Sequence, residues 1–421
     1  MKVYSHERLA RLAGQRGMPE EYLHDLRVVS SVLPFKVNQY VVDELIDWSA
    51  VPDDPIFRLT FPHRDMLPRD IFEDLSALHL SAAAPNVIRK AARDAHARLN
   101  PNPGAQLEAN VPTHDGHRLV GLQHKYAETV LVFPSQGQTC HSYCGYCFRW
   151  AQFVGNAEIR QAASDVSRAM AYVAQSPTVT DVLFTGGDPM IMSAPVLQRW
   201  VEPLLEPALE RVRTIRFGTK ALSYWPARFT TDHDADDVLR LFERIVAAGR
   251  HVAVMAHFSH PRELATPAVR EAIRRIRATG AVIRAQAPLI AHVNDRAQDW
   301  ATMWQQLVEL GVVPYYMFVE RDTGARSYFS VPLTRALGIY TDAIRGVSGL
   351  ARTARGPVMS AAPGKVLVDG VVDIAGTEVF SLRLLQARDA RDVGRQFFAH
   401  HDPAAEWFDD LRPALGSWWP A

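Results

Sequence analysis

The 421-residue chain is poor in cysteine and lysine and carries no excess charge of either sign. Three cysteines are few and odd in number, which argues against a disulfide framework and leaves a metal or catalytic thiol site as their use. With 46 basic and 46 acidic residues the formal charge is zero, so neither nucleic acid nor an anionic membrane is expected as a partner held by bulk charge. No stretch approaches the ~20 apolar residues of a membrane span. The opening segment MKVYSHERLARLAGQRG also lacks the apolar run of a secretory signal. A cytoplasmic protein acting on a small molecule is the expectation. Low-complexity tracts are missing, and no repeat stands out beyond an alternation of strand and helix.

A composition of 48% hydrophobic and 22% charged residues is that of a globular chain with a full core. Residues 1–105 read as an N-terminal helical cap without chemistry or as a homo-oligomer contact. They hold amphipathic runs such as VIRKAARDAHARL behind Pro85-Asn86, and a proline-rich joint at 100–104. Within 106–345 short apolar runs alternate with helical patterns. The candidate strands are 129–134, 181–187, 214–220, 251–258, 281–290 and 313–319, with helices over 234–249 and 266–280 between them. Residues 346–421 read as a small β-rich extension with an aromatic, acidic tail. Strands followed by helices imply parallel βα units, so an α/β fold built as a partial (β/α)6 TIM-like barrel is expected. A doubly wound open sheet is the competitor. In both, active groups gather at the carboxyl ends of the strands.

All three thiols follow the first of those strands, in QGQTCHSYCGYCFRW: Cys140, Cys144 and Cys147, spaced CxxxCxxC. Such a loop can wrap one face of a [4Fe-4S] cluster, each thiolate binding one iron and leaving the fourth open. Zinc with His141 or another histidine as a further ligand is the alternative, as are three unrelated thiols. One βα unit later, LFTGGDPM ends a strand with Gly186 and Gly187, where a ligand is expected to approach the backbone closely.

The cysteine loop, with the aromatic Tyr146 between its second and third cysteines, resembles the signature of the radical S-adenosylmethionine (SAM) superfamily. Gly186, Gly187 and Asp188 resemble its SAM-binding turn. More narrowly, HKYAETVLVFPSQGQTCHSYCGYCFR, LFTGGDPM, IRFGTK, AHFSHPREL, HVND and VPYYMF resemble the lysine 2,3-aminomutase family in order, over about 105–345. The resemblance implies an isomerase that uses a [4Fe-4S] cluster, SAM and pyridoxal phosphate (PLP). Reductive cleavage of SAM would yield a 5'-deoxyadenosyl radical, and an amino group would move between adjacent carbons of an amino acid. It also implies an external reductant such as flavodoxin or ferredoxin.

Carried over residue by residue, the resemblance makes Arg149 the partner of a substrate carboxylate, a task suited to a planar fork. A structural ion pair is the plainer use. PLP needs a lysine, and only Lys2, Lys36, Lys90, Lys125, Lys220 and Lys365 are present. Lys365 in SAAPGK resembles the family's Schiff-base lysine, although Met359, Ser360 and a single Gly364 stand where the family has an aspartate and four glycines. Lys125 and Tyr126 match the phosphate region, in which Thr129 replaces a basic residue. Lys220 is expected at SAM or a carboxylate, and His257 and His260 at SAM or PLP; Asn294 and Asp295 follow a strand nearby. The acids expected around a distal ammonium are poorly matched: Glu320 and Asp322 are candidates, and Val358 is apolar. Trp418 and Trp419 read as packing residues. A PLP-independent radical epimerase, dehydrogenase or lyase remains the second functional reading.

Overall fold

The apolar runs at 129–134, 181–187, 214–220, 251–258, 281–290 and 313–319 each contain a strand in the computed structural model, which describes residues 2–5, 8–100, 109–155 and 160–420. An antiparallel pair, β1 (Leu122–Tyr126) and β2 (Thr129–Val132), opens the main sheet. It continues through β3 (Asp181–Phe184), β4 (Thr214–Thr219), β5 (His251–His257), β6 (Val282–Leu289), β7 (Val313–Val319) and β8 (Arg355–Ser360). From β2 to β8 every pairing is parallel and joins neighbours in sequence. Three antiparallel strands follow: β9 (Gly364–Ile374), β10 (Thr377–Ala387) and β11 (Gln396–His400).

The α/β class stands as expected, with a correction to its architecture. The parallel strands number seven rather than six, and the 11-stranded sheet is not closed: β1 and β11 are its edges. The seventh, β8, reads RGPVMS, in which Gly and Pro conceal a strand; it pairs with β7 through a register shift. Because the order never reverses, the sheet lacks the switch point of a doubly wound fold. The helices Val166–Gln175, Ala194–Val201, Ala235–Ala247, Pro267–Ala278, Ala297–Glu309 and Leu333–Arg345 supply the crossovers.

Alternation along the strands sorts the two faces of this sheet. Val182 and Phe184, Ile215 and Phe217, and Ile283, Ala285 and Ala287 pack in one apolar core with the buried side chains of the crossover helices. The intervening Asp181, Arg216, Arg284 and Gln286 belong to the opposite face, so polar side chains line the side away from the helices. A second core joins the N-terminal helices to the cysteine loop, with Leu26, Phe57, Phe61 and Phe72 in one cluster with Tyr146, Trp150 and Phe329. The helix expected behind Pro85 spans Pro85–Leu99. The joint after residue 100 and the boundary at 105 fall in 101–108, outside the described residues. Among the described residues no helix is long and apolar enough to cross a membrane.

Candidate active site

Apart from Lys125 and Tyr126 on β1 and Lys365 at the start of β9, the residues singled out in the sequence as ligands or catalysts lie at the carboxyl end of a strand or in the segment that follows it. The cysteine loop follows β2 and is held from two sides. The N-terminal segment grips one: Lys36 O accepts from Tyr143 N at 2.8 Å, and Leu59 O accepts from Gly145 N at 2.7 Å. Lys36 Nζ donates to Thr139 Oγ1 at 2.9 Å and to Cys140 O at 3.1 Å. The segment read as a cap without chemistry therefore braces the thiol loop, and its one signal was a lysine in a chain that has six.

The other side is held by the turn after β3. Gly187 N and Asp188 N donate to Gly137 O, at 3.1 and 3.2 Å, and Asp188 N also reaches Thr139 O at 2.9 Å. A Cβ at Gly187 would stand 2.3 Å from Thr139 O and 2.6 Å from Thr139 N, so backbone packs directly on backbone. The close neighbour that requires glycine is thus the chain's own cysteine loop. Asp188 is buried and engaged at both oxygens, by Thr219 Oγ1 at 2.7 and 2.8 Å, Met190 N and Lys220 N at 2.9 Å, and His141 Nε2 at 3.2 Å. Burial opposes its charge, yet the bonds from His141 and Thr219 hold its carboxyl below the usual range.

The thiols themselves are crowded and desolvated. Burial first, and then Cys144, push Cys147 up to about 12; burial likewise lifts Cys144 to about 11 and Cys140 well above its ordinary value. Metal binding would convert them to thiolates. Both ring nitrogens of His141 are engaged, with Asp188 and with Asn38 at 3.4 Å. Among the described residues no three His, Cys, Asp or Glu side chains are gathered closely enough to hold one metal ion. A cubane, bound through three separate irons, spaces its thiolates more widely than a single zinc does.

Lys220, at the end of β4, meets the carboxylate of its own chain: Nζ lies 3.0 and 3.1 Å from the two oxygens of the fully buried Glu263, 3.2 Å from Ser259 Oγ and 3.4 Å from His257 O. Glu263, from the quoted HPREL, passed unread in the sequence because an acid there looks like an ordinary surface residue. His257 is held neutral, lowered to about 4 by burial and then by Lys220, and contacts Gln286 at 3.1 Å. Tyr146 Oη sits 3.4 Å from Ser259 Oγ. Asn294 forms a turn, bonding Ser259 O, Pro288 O and Ile290 N, while Asp295 pairs with Arg335. His260 caps the turn at Arg262 N and is likewise lowered to about 4 by burial. Trp418 and Trp419 pack edge-on to Phe397.

Three groups lack such partners. Arg149 is buried, donates from Nη2 to Gln138 Oε1 at 3.2 Å and lies over Phe133 at 4.1 Å, while its Nε has no hydrogen-bond partner. It forms no structural ion pair among the described residues, and burial lowers it to about 10. Glu320 at the end of β7 has an unpartnered Oε1, and Tyr126 an unpartnered hydroxyl. A buried polar atom without a partner costs free energy, so each suits a ligand rather than the empty fold.

Lys365 stands at the start of β9. A Cβ at Gly364 would lie 2.0 Å from Gln386 O, so glycine there lets β9 close on β10 and sets where Lys365 begins. Its Nζ lies over the ring of Tyr316 at 4.6 Å and near Tyr126 and Phe318, both at 5.9 Å. Burial, then Arg216 and Arg355, lower it to about 7. Lys125, bonded to Ala361 O, is lowered to about 7 by burial and by Arg388, Arg321 and Lys365. Aromatic faces, a neutral amine and nearby cations are the donor set a pyridine ring bearing a phosphate requires. Val358 is fully buried beside Tyr316 and Leu367.

No protein-family model matches the chain. It is 31% identical over 395 residues to a protein of Aquifex aeolicus (strain VF5) whose name assigns it provisionally to L-lysine 2,3-aminomutase, covering 93% of this chain and 91% of that one. With the L-lysine 2,3-aminomutases of Escherichia coli (strain K12) and Clostridium subterminale it shares 29% and 25% identity. Those two matches span 56% and 65% of this chain, and 66% and 62% of the relatives' own length. Among solved structures, a radical SAM methyltransferase from Sphaerobacter thermophilus aligns with a TM-score of 0.38 at 14% identity, covering 84% of this chain and 93% of that one.

Proposed function

Because the chain belongs to the L-lysine 2,3-aminomutase family of radical SAM enzymes and is an aminomutase-like isomerase, we propose that it carries out a 1,2-amino shift on an amino acid with a [4Fe-4S] cluster, SAM and PLP. The observation that carries this reading is Lys365. It is an amine lowered to about 7, set over the ring of Tyr316, on a strand that pairs with the carboxyl end of β8. When bound, these groups supply a 5'-deoxyadenosyl radical and a carbonyl carrier for the migrating nitrogen.

The chain's own residues then divide the work. Cys140, Cys144 and Cys147 hold the cluster. The Gly186-Gly187 turn presents its backbone to SAM, with Asp188 keeping that turn against the loop. Above about pH 7 Lys365 would offer an unprotonated amine to the PLP carbonyl, and Lys125 and Tyr126 hold the phosphate. Arg149 takes the substrate carboxylate beside the cluster, and its unpartnered Nε supports that assignment. Lys220 is kept from acting as an amine by Glu263. The order of the seven parallel strands supports reading the body as a partial barrel.

Anaerobic incubation with SAM, dithionite and PLP against a panel of amino acids tests the proposal; 5'-deoxyadenosine and a β-amino product are expected. Deoxyadenosine without any product bearing a shifted amino group, from a protein that binds no PLP, would establish the PLP-independent class instead.

A further inference from the structure

Arg321 is a cation without a counter-ion. It follows Glu320 at the end of β7, and its guanidinium lies over Phe148 at 5.3 Å and Trp407 at 5.8 Å. Its Nε has no hydrogen-bond partner, and among the described residues no carboxylate lies within ion-pair distance. Two other arginines nearby are occupied, and a third, Arg355, lies over Tyr316. Arg216 is paired with Asp181, and Arg388 donates to Ala362 O, Ala109 O and Asn110 Oδ1. The charges that act on Lys125 are Arg388, Arg321 and Lys365, all positive. The acids that act on Arg321 are Asp322 and Glu320, and burial drives Glu320 toward its neutral form.

Position gives this unpaired charge a use. Phe148 directly precedes Arg149, while Lys125 and Tyr126, which also sense Arg321, stand beside Lys365. On the aminomutase reading a substrate would be held between Lys365, whose neighbour Tyr126 senses Arg321, and Arg149, whose neighbour Phe148 packs on Arg321, and its side chain is taken to extend toward that guanidinium. A side-chain ammonium would meet like charge there, whereas a carboxylate would meet a planar fork with a free donor.

We propose that Arg321 receives a second carboxylate of the substrate, so that the amino acid taken is of the dicarboxylic class, such as glutamate or aspartate, rather than a diamine. This deepens the aminomutase reading and rests on it. Equilibrium dialysis of the iron-, sulfide- and PLP-loaded protein with labelled glutamate, aspartate, lysine and alanine tests the charge preference, with 5'-deoxyadenosine release read in parallel. At least one dicarboxylate is expected to bind about 10-fold or more tighter than lysine. Arg321→Gln removes that margin, Arg321→Lys keeps most of it, and alanine, lacking a second carboxylate, responds least. Two results overturn the proposal: lysine binding more tightly than both dicarboxylates, or Arg321→Gln lowering PLP content with the preference among amino acids intact. Failure to release deoxyadenosine with any amino acid defeats the aminomutase reading, whereas the dialysis alone decides the charge preference.

Discussion

Asp188 reaches back 47 residues to His141, its Oδ2 standing 3.2 Å from the ring Nε2, and so ties the turn after β3 to the loop that bears the three cysteines. Both side chains are buried, and the carboxylate also secures Thr219 at the end of β4. One acid thereby aligns three strand ends. Asp188→Asn keeps the shape and loses an acceptor. Cluster content after anaerobic reconstitution should fall to less than half, with a loss of about 1–3 kcal/mol of stability in denaturant. Iron analysis and a urea titration check both.

A methyl group at Gly187 has nowhere to go, since the atoms it would meet belong to the backbone of Thr139. Gly187→Ala is expected to cost about 1–3 kcal/mol and to lower iron uptake. Thermal melting of the metal-free protein, alongside iron analysis, separates the packing effect from the cluster effect.

Replacing any one of Cys140, Cys144 and Cys147 by Ala should leave a protein that folds but retains little iron or sulfide after reconstitution. The wild type should reach about four of each per chain. A wild type that instead takes up one zinc and no sulfide removes the cluster assignment.

The buried pair of Lys220 and Glu263 is a structural liability if halved. Glu263→Gln strands the lysine charge and should cost about 3–5 kcal/mol in chemical denaturation.

The amine of Lys365, lowered to about 7, sets a pH dependence. Its protonated form cannot condense with an aldehyde, so PLP uptake followed by Schiff-base absorbance should rise through about pH 7 and level above it. Because the folded value lies below that of the unfolded chain, this lysine also makes the fold more stable as pH rises from about 7 toward the ordinary lysine range. Lys365→Ala should abolish the absorbance, whereas Lys125→Ala should weaken PLP retention and leave the Schiff base.

Lysine scarcity was the most legible sign of where the site lies. Lys36 braces the cysteine loop, Lys220 follows β4, and Lys125 on β1 senses the charge of Lys365 on β9, while Lys90 is exposed on its helix. Cysteine spacing and strand periodicity were readable because both are local: they concern residues a few positions apart, or one face of one element. The β8 strand was hidden, because Gly and Pro mask a pattern that only pairing with β7 and β9 redeems.

By itself, then, the sequence determined the order of the βα units, the thiol loop and the family to which the chain belongs. Only the tertiary structure decided that Lys220 belongs to Glu263, that Asp188 is an anchor, that the N-terminal segment clamps the cysteines and that Arg321 stands without a counter-ion. The first three are pairings between residues tens to hundreds of positions apart, set by which segments the fold brings together, and no local pattern encodes which charges will be left unpaired beside them.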